Sequence, residues 1–161
     1  MRLSSLADYA VVMMSAAART CGSVRLNATV LAAETGLPLP TVQKLVSRLS
    51  AAGLIESARG TGGGFRLARP PAAISLADIV EAVEGPIALT ACVEGSRHDC
   101  ASEHSCQVRP HWGGINEIVR GALAAVTLAS LSPVRPERVE GRVPGTDAST
   151  GSARTVTKVL I

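Results

Sequence analysis

Aromatic residues are nearly missing: Phe, Trp and Tyr occur once each in 161 residues, although hydrophobic residues make up 47% of the chain. A core built on rings is therefore excluded. It has to be assembled from Ala, Leu, Val and Ile, a composition that favours helices. Apolar runs are short as well, and none reaches the roughly 18 residues that a membrane-spanning helix needs. The glycine-rich stretch near residue 62 is followed by neither Lys-Ser/Thr nor a helix, which excludes a P-loop. With no Rossmann fingerprint and no Ser/His/Asp constellation either, the chain is not expected to be an enzyme. Its cysteines lack the short C-x2–4-C pairs that structural zinc sites use.

The length fits one domain of roughly 100–200 residues with an appendage. Its charge is unevenly spread. Residues 1–70 hold eight Lys/Arg against three Asp/Glu, residues 71–106 hold one against six, and the remainder seven against four. A basic first half beside an acidic middle suits a protein whose first part alone meets a polyanion, although a solvated basic face has the same composition. The apolar run from Ala10 to Ala18 follows Arg2 as in a signal peptide. Leu6, Tyr9, Ala10, Met13 and Ala17 recur at helical spacing, however, and the segment is read as an amphipathic helix of a cytoplasmic protein.

Local signals divide the rest. Ser5 and Asp8 have the spacing of a capping box and open a helix that runs to about Arg19. Asn27 caps a second helix, which Gly36 ends, and Pro40 starts a third that runs to Ala52 and stops at Gly53. In the third helix Val42, Leu45, Val46 and Leu49 form the buried stripe, leaving Thr41, Gln43, Lys44, Ser47 and Arg48 outside. This is a helix-turn-helix pattern, shared with any helical hairpin. "LIESARGTGGGFRLAR" then reads as two strands, Leu54 to Ala58 and Phe65 to Ala68, around a glycine-rich tip flanked by Arg59 and Arg66, which makes a wing able to reach a groove or phosphate. Ser75 and Asp78 make a second capping box, with Gly85-Pro86 ending that helix. Beyond Pro110, Trp112, Ile115, Val119, Ala122 and Val126 step by three and four as a heptad seam, read as a homodimerisation helix.

The fold class expected is thus mainly α with a small β-hairpin wing, a winged helix-turn-helix followed by a long dimerisation helix. Its parts are a DNA-binding domain over 1–85, a cysteine loop over 86–107, the dimerisation helix over 108–132 and, from its Pro, Gly, Ser and Thr content, a disordered tail over 133–161.

The loop "CVEGSRHDCASEHSC" spaces Cys92, Cys100 and Cys106 as C-x7-C-x5-C, with Cys21 distant and read as a small buried residue. Three soft thiolates on an adaptable loop can wrap an iron–sulfur cluster. Spacing alone leaves that reading open beside zinc and beside separate redox-active thiols.

The set of "MRLSSLADYAV", "VQKLVSRLSAAGLI" running into "RGTGGGFRLAR", "ISLADIVEAVEG" and the three cysteines resembles bacterial winged-helix regulators that bind iron–sulfur clusters, the IscR/NsrR-type family. The likeness covers about residues 1 to 131 and, through "VRPHWGGINEIVRGAL", is greatest to the regulators of SUF assembly operons. It implies a homodimer crossed by long helices, a two-iron or four-iron cluster on Cys92, Cys100 and Cys106 near the dimer interface, and a palindromic promoter operator in double-stranded DNA. Thr41, Gln43 and Lys44 would face the major groove and Arg59 the minor groove, with Arg48 and Arg66 nearer phosphate. IscR-like members carry a histidine three residues beyond the last cysteine, where this chain has Arg109, with His111 two positions later. NsrR-like members use an aspartate of the first helix, which Asp8 matches, so Asp8 and His111 are the alternatives for the fourth ligand. His98 and His104 are read as solvated. IscR-like recognition helices carry a glutamate where Gln43 stands, so their operator sequences do not transfer. The function implied is a transcriptional regulator that senses cluster status and controls SUF-type assembly genes; the alternatives are a nitric-oxide- or iron-responsive repressor, a zinc-stabilised DNA-binding protein or a cluster redox carrier.

Overall fold

The computed structural model describes residues 3–20, 26–58, 63–96 and 98–131. It is mainly helical with one antiparallel hairpin: α1 Ser5–Arg19, α2 Ala28–Thr35, α3 Leu39–Ala51, β1 Ile55–Ala58, β2 Gly64–Leu67, a 3-10 turn at Pro71–Ala73, α4 Leu76–Glu84, α5 Arg109–Ala125 and α6 Leu128–Leu131. Arg59, Gly60, Gly62, Cys21 and the expected tail over 133–161 lie outside the described residues.

Helix α1 is the centre of the core because its inward positions are small or flexible. Ala7, Ala10, Met13, Met14, Ala16, Ala17 and Ala18 are all buried, so α4, α2 and α6 approach it closely. Its N-cap differs from the sequence expectation. Ser4, not Ser5, caps the helix, accepting from the Ala7 backbone N–H at 3.2 Å. The Ser4 backbone N–H, which a capping box would satisfy from within the first turn, donates instead to Glu84 Oε1 at 2.9 Å. A carboxylate eighty positions away has taken that role, and Asp8 is left exposed with no part in the cap.

The helix-turn-helix forms for the local reasons its sequence suggests. Asn27 Oδ1 accepts from the Val30 N–H at 2.7 Å, and Gly36, at φ 71°, ends α2 in the left-handed conformation. Pro38 precedes α3, placing Pro40 at its second position. Val42, Leu45 and Leu49 are buried and Val46 packs partly against the same core. Gly53, at φ 69°, turns the chain into the wing, where Ile55 pairs with Leu67, Glu56 with Arg66, Ser57 with Phe65 and Ala58 with Gly64. Phe65 is the single phenylalanine and is buried. Its backbone exchanges two hydrogen bonds with Leu26, at 2.8 and 2.9 Å, fastening the wing to the entry of α2.

Helix α4 opens on the expected capping box, with Ser75 and Asp78 bonding reciprocally. It packs on α1, α3 and α5 at once. The helix expected over 108–132 is interrupted. α5 ends at Ala125, and Val126, the last seam position, is extended. The Val126 carbonyl accepts from Leu76 and the Leu128 N–H donates to Ile74, both at 2.8 Å, while Thr127 pairs with Ser75. This short strand-like crossing folds α6 back and drives Leu128 into the main core, fully buried. Burying such a side chain contributes about 1.5–3 kcal/mol, more than two further turns of an isolated exposed helix would contribute.

Candidate nucleic-acid interface and thiol loop

On α3, Gln43 and Lys44 are exposed and Thr41 is half-buried, all on the side away from the buried stripe. The face therefore offers a hydroxyl, an amide and an ammonium, groups that hydrogen-bond to base edges and phosphates. Arg48, from the same helix, is differently engaged. Its guanidinium donates to the Val83 carbonyl in the last turn of α4, where a carbonyl has no helical partner of its own. On the wing, Arg66 is paired with Glu56 on the neighbouring strand at 2.6 Å, with both side chains more than half exposed. An exposed pair of this kind contributes little and exchanges readily for another anion.

The thiol loop joins α4 to α5. Cys92 and Cys106 are half-buried, Cys100 is exposed, and all three are free thiols. Both limbs of the loop are fastened to α5. On the entry limb the buried amide of Asn116 accepts from the Leu89 N–H at 3.0 Å and donates to the Ile87 carbonyl at 2.9 Å. On the exit limb the carboxylate of Glu103, 8% exposed, lies 3.0 Å from Nδ1 of His98 and 3.1 Å from the guanidinium of Arg109. The His98 hydrogen bond, opposed by desolvation and reinforced by the charge of Arg109, holds the Glu103 carboxyl below its ordinary pKa. His98, expected to be solvated, is half-exposed and tied to that carboxylate with a left-handed backbone at φ 52°, whereas His104 is exposed.

Of the candidate ligands, the loop carries Cys92, Cys100 and Cys106, while Asp8 lies exposed on the first turns of α1 and His111 exposed on the first turn of α5. Among the described residues, no three or more His, Cys, Asp or Glu side chains are grouped closely enough to hold a metal ion. The donor chemistry nevertheless fits an iron–sulfur cluster: three free thiols, one exposed and two half-buried, share one loop. Arg109, three residues beyond Cys106, serves as the partner of Glu103.

Asn116, Glu103 and Arg109 were not singled out as anchors by the sequence. Asn116 stands in line with Arg120 and Leu123 at steps of four and three, a second stripe on α5 turned toward α4. There Leu123 packs on the satellite core of Ala77, Val80 and Ile87, and Arg120 pairs with Glu81 at 2.8 Å. The expected seam faces elsewhere. Ile115 and Ala122 are exposed, Trp112 and Val119 half-buried. Ile118 is 74% and Val108 56% exposed, although neither belongs to that seam. No helix among the described residues is long and apolar enough to cross a membrane.

A family model described as the Rrf2 iron-dependent transcriptional regulators matches residues 3–133. A Neisseria meningitidis protein named for HTH-type transcriptional regulation is 35% identical over 133 residues, which are 81% of this chain and 87% of the relative. Among solved structures, CymR, the global cysteine regulator of B. subtilis, is similar with a TM-score of 0.64 and 30% identity, over 82% of this chain and 96% of that one. IscR of T. potens is similar with a TM-score of 0.59 and 27% identity, over 81% and 85% of the two chains.

Proposed function

The chain belongs to the Rrf2 family of transcriptional regulators, and we propose that within it the chain is a cytoplasmic homodimer whose three loop thiols hold an iron–sulfur cluster and tune its affinity for promoters of SUF-type cluster-assembly genes. The observation that carries this reading is the trio of free thiols on a loop whose two limbs are both fastened to α5. When bound, the cluster supplies thiolate-held iron that oxidants, nitric oxide or iron scarcity can dismantle. The rest belongs to the chain's own residues. Cys92, Cys100 and Cys106 are the ligands, with Asp8 or His111 as the fourth. Thr41, Gln43 and Lys44 meet base edges and phosphate in the major groove, while Arg66, released from Glu56, and Arg59 serve the wing. For Arg48, expected near phosphate, the hydrogen bond to the Val83 carbonyl supports a role in holding α3 on α4.

The connection between loop and DNA face runs through α4, which Arg120 ties to α5 and Arg48 to α3. A change in how the loop sits on α5 therefore bears on the two elements that set the recognition helix. The exposed apolar side of α5, with Ile115 and Ile118, is the surface for the second protomer. Two copies then present two recognition helices to a two-fold symmetric site.

A second reading has the thiols work without iron. It is favoured by their lack of convergence and by the similarity to a global cysteine regulator. Selection of bound fragments from bacterial genomic DNA by the anaerobically prepared iron-loaded and iron-free forms tests both. The cluster reading expects enrichment of a symmetric sequence with affinities that differ between the two forms. No enriched sequence would end the regulator reading, and a difference that appears only on oxidising the iron-free thiols would favour the second.

A further inference from the structure

Asn116 is a buried polar side chain in the middle of a helix, a costly placement unless something uses it. Both ends of its amide are used, and both on one short stretch of backbone. Oδ1 accepts from the Leu89 N–H at 3.0 Å and Nδ2 donates to the Ile87 carbonyl at 2.9 Å. The amide thus copies the pairing that a neighbouring strand would give residues 87 and 89, and it does so for a segment with no strand partner among the described residues. Ile87 is buried against Ala77, Val80 and Leu123, so the clamp lies over an apolar floor. Three residues beyond Leu89 stands Cys92. Its sulfur lies 3.3 Å from the Thr90 hydroxyl, its neighbour Val93 is buried, and the Ser96 hydroxyl closes the turn on the Ala91 carbonyl at 2.6 Å. Cys100 is instead exposed, while Cys106, half-buried like Cys92, lies on the exit limb, where its carbonyl accepts from the Arg109 N–H at 3.3 Å. The thiols are therefore not equivalent: the two at the ends of the loop are each referred to α5, Cys92 through the amide of Asn116, and Cys100 between them is not.

We infer that Asn116 is the positioning residue of the thiol loop's entry limb, clamping it to α5 so that Cys92 is held in place as a ligand onto which the exposed Cys100 closes. The inference rests on the reading of these thiols as ligands. It also gives α5 a direct mechanical connection to the first ligand, because the residue that holds Cys92 in place belongs to the helix itself rather than to the loop.

The test uses the full chain, reduced and iron-free, with brief pulses of iodoacetamide and separate quantification of alkylated Cys92, Cys100 and Cys106. Asn116→Leu keeps the branched shape and the helix while removing both hydrogen bonds. It should raise the Cys92 rate roughly tenfold, the factor that losing about one buried hydrogen bond gives a local opening equilibrium, and leave the Cys100 rate unchanged. Exchange of the Leu89 amide proton should quicken in parallel. Asn116→Asp keeps the acceptor for Leu89 but loses the donor to Ile87, and should restore part of the protection. An unchanged Cys92 rate, or an equal rise at all three thiols in both variants, would overturn the inference. Supplied without oxygen with ferric iron, sulfide and a thiol reductant, the Leu variant should take up less iron than the unaltered chain, and equal uptake with the same visible spectrum would also overturn it. If the unaltered chain takes up no iron, the cluster reading falls, while the alkylation ratios still decide the role of Asn116.

Discussion

Arg48 and Lys44 stand four residues apart on α3 and are differently engaged, so the roles proposed for them can be separated by one pair of substitutions. Arg48 donates to the Val83 carbonyl at the end of α4, whereas the ammonium of Lys44 is exposed, with no partner among the described residues. A hydrogen bond from a charged donor contributes about 1.5–3 kcal/mol where it is buried. Much of the Arg48 side chain is in solvent, which reduces the expectation to about 1 kcal/mol. For a chain of this size that corresponds to a fall in Tm of about 2–4 °C on Arg48→Ala. Lys44→Ala should leave Tm within about 1 °C, as substitutions at unengaged surface positions do. On DNA the ranking reverses. Each lost phosphate contact lowers the steepness of log K against log salt by about 0.9, so Lys44→Ala in a symmetric dimer should flatten the slope by about 1.8. Arg48→Ala should leave the slope as it was and weaken binding by a factor independent of salt. Thermal melts and a salt series of binding isotherms, with the selected operator as probe, measure both. A full loss of slope in Arg48→Ala with no fall in Tm would refute the assignment of this arginine to the fold.

Three further outcomes follow from the same geometry. Because the His98 hydrogen bond and the Arg109 charge hold Glu103 below its ordinary pKa, its contribution to stability is complete above the ordinary glutamate range and is lost as pH falls through the lowered value. In the iron-free chain, Glu103→Gln should therefore lower Tm at neutral pH and flatten the acid limb of the Tm–pH profile, and an unchanged acid limb would contradict this. Ile118 is 74% exposed, so Ile118→Asp should leave the monomer folded by circular dichroism while raising the dimer dissociation constant at least about 100-fold, from the roughly 1.5–3 kcal/mol that each buried isoleucine gives; an unaltered sedimentation profile would remove this face from the dimer contact. Since Ser4 rather than Asp8 enters the cap of α1, Asp8→Ala should cost little stability and alter the visible spectrum of the iron-loaded protein, whereas His111→Ala should leave that spectrum unchanged; the converse result would make His111 the fourth ligand.

Signals confined to a few residues were legible in the sequence. Asn27, Gly36, Gly53 and the Ser75/Asp78 box each act on neighbouring backbone, and each stands where its chemistry suggests. The wing strands match to within one residue at their ends. What escaped depends on partners distant in the chain. Ser4 and Ser5 are equally good caps by composition, and the choice between them involves Glu84. The heptad continues through Val126 by spacing alone, yet pairing with Ile74, Ser75 and Leu76 takes the chain out of the helix there. Asn116 and Arg120 are polar, so a search for apolar periodicity passes over the stripe they share with Leu123. The spacing of the thiols left cluster, zinc and redox chemistry open, and it carried no sign that the loop is fastened at both limbs to the helix that follows it.

The central claim is that sulfur from Cys92, Cys100 and Cys106 holds inorganic iron. It is tested most directly by measuring iron and acid-labile sulfide per protomer after anaerobic purification, in the unaltered chain and in the chain with Cys92→Ser, Cys100→Ser and Cys106→Ser combined. The account expects both elements, with visible absorption, in the first preparation and neither in the second. An unaltered chain without iron, or a triple variant that keeps its iron and sulfide, would contradict it.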